Sequence, residues 1–181
     1  MKSLQQLMFL LGALLCALIA SFYDVRERRI PNLLTGPAIA AGLAAHFLAG
    51  GWRGIGNSAL AGLAAGAIFF IFFLAGGMGA ADVKLMTAVG CIVGLTPLPV
   101  VMVATAIAGG VFALAVSTCH GRLRETLHGV GTLLLHHGRY GLQPHPDLNL
   151  GNDCTLRLPF ALPIAAGCLC ALGTIVLEAG R

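Results

Sequence analysis

Residues 85–119 form a stretch of 35 positions without one charged side chain. As a single helix, at about 1.5 Å per residue, it would extend roughly 52 Å. The hydrocarbon core of a bilayer is only ~30 Å thick, so the stretch must be broken within itself. Pro97 and Pro99 supply the break, because proline removes a helical hydrogen bond and clashes with the preceding turn. Two spans are expected from this region, 82–96 and 98–119. The first is short, so its start must lie close to one membrane face. Further apolar runs cover 4–22, 33–49, 58–75 and 159–177.

Composition closes the other routes. Only 10% of the 181 residues are charged and 57% are hydrophobic, with a mean hydropathy of +0.89. Ordinary soluble domains are about 25% charged. A chain this poor in charge cannot coat a water-facing surface. That excludes a soluble globule, a disordered chain and a nucleic-acid binder with a broad basic face. The expected fold is all-α: a polytopic membrane protein, a bundle of about six transmembrane helices in one domain over residues 1–181.

The cations set the expected orientation. If the loop after the first span faces the cytoplasm, that side holds Arg26, Arg28, Arg29, Lys84, Arg122, Arg124, Arg139 and Arg157. The other side holds Lys2, Arg53 and Arg181. This distribution obeys the positive-inside rule, and the arginines after the first run argue against a cleaved signal peptide. Residues 50–54 read as a short turn, with Trp52 suited to an interface. Residues 120–158 are the only long polar stretch. Leu123, Leu127, Val130 and Leu134 repeat there at helical spacing, which predicts an amphipathic helix on the cytoplasmic surface.

Of the seven acids, two stand at the edges of apolar helices: Asp24 at the end of the first span and Asp82 at the start of the fourth. The topology puts both on the same face. Ionisable groups at membrane depth are costly and point to function by default. Asp82, at a helix start, also suits a capping role. Asp24 sits where the helix dipole disfavours negative charge, so it needs a compensating reason. Two facing carboxylates share a proton. The ionised one can take a proton from an attacking water while the other polarises a carbonyl and later assists the leaving amine. Gly76, Gly77 and Gly79, just before Asp82, would let a peptide backbone approach closely.

Two segments carry a resemblance. Asp24-Val25-Arg26-Glu27-Arg28-Arg29-Ile30-Pro31-Asn32 is similar to the Asp-x-Arg…Ile-Pro-Asn segment that follows the first span of prepilin peptidases. Gly76-Gly77-Met78-Gly79-Ala80-Ala81-Asp82-Val83-Lys84-Leu85 is similar to their Gly-x-Gly-Asp-x-Lys-Leu segment. Leu158-Pro159-Phe160-Ala161 is a looser likeness. The family consists of membrane aspartic proteases of type IV pili and related secretion systems, and the short form here looks most like those of Tad/Flp-type pili. The resemblance implies that Asp24 and Asp82 are the catalytic dyad. It implies a prepilin or pseudopilin substrate, cut at the cytoplasmic face of a bacterial inner membrane between a basic leader and its hydrophobic helix. Ala81 departs from the family's glycine before the second aspartate. Nothing matches the four-cysteine zinc region of longer members, so methyl transfer has no motif behind it.

Around the dyad, Gly79, Lys84 and Glu27 are the candidate substrate-binding residues. Lys84 serves equally as a snorkelling anchor. Asn32 reads as a helix cap, and the arginines as topology and lipid contacts. No metal or cofactor is expected. No cysteine pair has CxxC spacing, and histidines eight residues apart stand ~80° out of register on a helix. Two other classes compete. A proton-coupled small membrane transporter would use the two aspartates as a relay, but it predicts acids at the midplane and repeat symmetry. A non-catalytic assembly protein would tolerate Asp→Asn changes.

Overall fold

The computed structural model describes residues 2–27, 30–121 and 159–179, with positions 124, 128, 129 and 132. The rest of the expected surface helix in 120–158, and Arg28 and Arg29, lie outside the described residues.

Helix α1 (Lys2–Glu27) extends beyond the first apolar run and takes Asp24 into its last two turns. Helix α2 (Asn32–Leu74) holds two of the expected runs and is interrupted at Gly51, where φ is 58° and ψ −143°. A positive φ of this kind is open to glycine at little cost. The chain reverses there. Ser58 Oγ donates to the Cys91 carbonyl at 2.6 Å and His46 Nε2 lies 3.0 Å from the Ile92 carbonyl. In a straight helix residues 46 and 58 would stand about 18 Å apart along the axis, yet they meet adjacent carbonyls. The two arms, 32–50 and 52–74, therefore lie side by side against the same helix. The second arm starts at the turn itself and not at residue 58, because only Gly51 leaves helical geometry.

Helix α3 (Ala80–Val93) is that shared partner, followed by α4 (Leu98–Cys119) and α5 (Ala161–Ala179). Gly94, at φ 75°, stops α3 before the prolines are reached. Helix α3 packs between α1 and both arms of α2, and α5 packs between α1 and α4. No strand occurs among the described residues.

Small residues make this packing possible. A methyl group on Gly90 would lie 2.8 Å from the Ala61 carbonyl oxygen, and one on Gly42 2.8 Å from the Cys91 carbonyl carbon. The helices thus touch backbone to backbone, as membrane helices do when small side chains line the seam. Ala13, Ala17, Ala20, Ala61, Ala65 and Ala165 are buried, whereas Leu15, Leu18, Phe22, Leu63, Val103 and Ile107 point outward. That inverts the soluble pattern and suits a hydrocarbon surround. Helices α1, α2 and α4 are long and apolar enough to cross a membrane; α5 has a shorter apolar stretch, Ala161–Leu177, and α3 has 14 residues.

Candidate active site

Three helix ends meet at one end of the bundle: the C-terminus of α1 and the N-termini of α3 and α5. Each contributes to the placing of a carboxylate.

Asp24 is half-buried near the end of α1. Its awkward position against the α1 dipole has a structural answer. Oδ2 accepts a hydrogen bond of 3.3 Å from the backbone N–H of Ala161, the first residue of α5. The first turn of a helix has N–H groups without intrahelical partners, and its end carries partial positive charge. Asp24 is thus disfavoured by its own helix and favoured by another. The first bond of α5 runs from the Ile164 N–H to the Phe160 carbonyl at 3.4 Å, which leaves the Ala161 N–H without a helical partner.

Asp82 is half-buried at the third position of α3. Its Oδ2 accepts from the Gly79 N–H at 3.2 Å, while its own N–H donates to the Gly79 carbonyl at 3.1 Å. The capping role expected of an acid at a helix start is real. A methyl group on Gly79 would sit 3.3 Å from that carboxylate oxygen, tighter than side chains usually pack. Glycine lets the carboxylate fold back onto the turn. The backbone N–H of this candidate binding residue is committed to orienting Asp82. Ala81, the departure from the family pattern, turns part of its surface into the apolar core.

The two carboxylates are close enough for the charge of Asp24 to act on Asp82. Each has one oxygen held by a backbone N–H. Among the described residues no other hydrogen bond is made by either. The pair can therefore offer its remaining oxygens to a water and a carbonyl.

Lys84 is exposed, and its Nζ donates to Asn32 Oδ1 at 2.9 Å. This ties the start of α2 to the start of α3 beside the dyad. Asn32 is not the cap read from the sequence: Pro31 holds the capping position and no side chain caps α2. Glu27 is exposed at the end of α1. Sequence reading missed the N–H of Ala161 as a partner of Asp24. Its only signals were the unfavourable place of Asp24 on α1 and the loose likeness at residues 158–161.

The profile of the type IV leader peptidase family matches residues 10–114, more than half of the chain, including both aspartates. Comparison with curated proteins and with solved structures returns no match.

Proposed function

Since the chain belongs to the type IV leader peptidase family, we propose that it is a membrane aspartic endopeptidase whose catalytic pair is Asp24 and Asp82. Its six apolar rods form one domain crossing a bacterial inner membrane, with the dyad facing the cytoplasm. The substrate is a prepilin or pseudopilin, and its processing serves pilus or secretion-system assembly. The observation that carries this reading is the convergence of two carboxylates, each steadied by a backbone N–H at a helix start.

In this mechanism the pair holds one proton between two like charges. The ionised carboxylate takes a proton from water as the water oxygen bonds to the scissile carbonyl carbon. The protonated partner gives its proton to the carbonyl oxygen. Collapse of the tetrahedral adduct breaks the C–N bond: the departing amine takes a proton from one carboxyl of the dyad, while a hydroxyl of the adduct returns its proton to the other as the C=O re-forms. Water is consumed and the dyad ends as it began. The rate passes through a maximum with pH, because the fully protonated and fully ionised pairs are both inactive. Lys84 and Glu27 contribute to substrate placement, Lys84 through its hold on Asn32. The family assignment does not favour the transporter alternative.

The test is reconstitution of the full chain with a prepilin bearing a basic leader, followed by the mass of the product's N-terminus. A product lacking the leader is expected, insensitive to chelators and serine-directed reagents. Normal processing by Asp24→Ala or Asp82→Ala variants would overturn the mechanism. The same mass reports any methylation.

A further inference from the structure

Below the dyad, α1 and the first arm of α2 barely touch. Between them runs an apolar groove of about 580 Å³, with Ile92 of α3 as its floor. Its walls run from Met8 to Ile19 on α1 and from Leu33 to Ala45 on α2. At about 1.5 Å per residue either wall is roughly 17 Å long, enough for three turns of helix. The groove opens outward, since Leu15 and Leu33 are 61% and 86% exposed.

Its two ends differ. At one end Ile19 lies five residues before Asp24, about 7.5 Å along the helix. Leu33 there adjoins Asn32, which Lys84 ties to the Asp82 helix. At the other end Phe9 stacks on His46, ring centroids 4.2 Å apart, and closes the way. The walls are also built for a particular shape. Ala38, Ala41 and Ala45 on the α2 wall, with Gly12 opposite, leave room between larger side chains such as Leu15 and Leu34. Small residues let a helix backbone come close.

We propose that this groove is the seat of the substrate's own apolar helix, the segment following the scissile bond. The inference rests on the peptidase reading above. The helix enters sideways from the hydrocarbon layer and lies antiparallel to α1. Its N-terminal end reaches the dyad, and the basic leader passes outward near Glu27.

The experiment uses the full chain in phosphatidylethanolamine–phosphatidylglycerol vesicles. The probe is a peptide with a basic leader and a 20-residue apolar helix, a length of roughly one crossing. A photoreactive benzoylphenylalanine replaces Leu15, Leu33 or Ala41 in the groove, or Leu63 or Val111 on other outward faces. Adducts to the probe's helix are expected from the three groove positions, several-fold above the two controls. Equal adducts at all five positions, or adducts to phospholipid alone, overturn the groove while leaving the peptidase reading intact, provided the wild-type chain cleaves the probe. No cleavage by wild type overturns both. As an independent arm, Ala41→Trp is expected to raise the KM for the probe roughly tenfold, the scale of a filled apolar subsite, with kcat nearly unchanged. Leu33→Trp, at a site exposed enough to accept the ring, should raise it in the same direction. An unaltered KM in both variants overturns the proposal.

Discussion

At the C-terminus of α3, His46 and Ser58 reach in from the two arms of α2 and occupy the carbonyls of Ile92 and Cys91. At its N-terminus, Asp82 binds one N–H of its own turn, and the nearby Asp24 binds one N–H of α5. The first end has side chains on two of its carbonyls. Carbonyls in the last turn of a helix have no partner within it, and in a dry bundle that deficit is met by side chains, both of them buried. The second end stops short, since among the described residues its two neighbouring carboxylates make one hydrogen bond each. The contrast separates polar groups that hold the bundle together from two carboxylates that keep oxygens to spare, as the proposed chemistry requires.

Substitutions should divide along the same line. The largest effect is expected from Asp24→Asn or Asp82→Asn. Each keeps shape and the hydrogen bond to the backbone but removes the shared proton. Cleavage should fall by roughly a thousandfold or more, with the thermal melt in detergent within a few degrees of wild type. Retained activity would erase the distinction between the ends. Next, Gly90→Leu should destabilise the fold by about 3 kcal/mol through overpacking, because even a methyl there meets the backbone of Ala61 and Gly62. Loss of the folded fraction in a denaturation series checks it. Ser58→Ala should cost ~1–2 kcal/mol by stranding the Cys91 carbonyl, with cleavage per folded molecule unchanged. The smallest effect on stability should come from Lys84→Met, whose exposed bond to Asn32 is worth under about 1 kcal/mol. Its signature would be a raised KM, and a matching rise in Asn32→Ala would sharpen the assignment to the tie between α2 and α3.

Much of the bundle could be read from the chain because its elements are set locally. Charge-free runs fixed the helices, and α4 begins at Leu98, where the prolines predicted. The turn at 50–54 shrank to Gly51, since one positive φ reverses the chain without unwinding a second turn. Helix α3 ended early at Gly94 for the same reason: a glycine conformation, invisible in hydropathy, acted before Pro97 could. The two aspartates were legible as a pair because each breaks a rule of placement in a lipid-solvated helix. Their holders were not. The partner of Asp24 is a backbone N–H, which every residue but proline possesses. The same limit hid the tie from Lys84 to Asn32, 52 positions apart, and the gap between α1 and α2, a property of what fails to pack.

The bond between Asp24 and Ala161 joins residues separated by 137 positions. Asp24 leaves the ribosome well before the N–H that steadies it. A nascent molecule already holds both acids once α3 has emerged, yet one of them still lacks its anchor. On the peptidase proposed above, competence to cut therefore waits upon docking of α5, so synthesis order itself delays proteolysis.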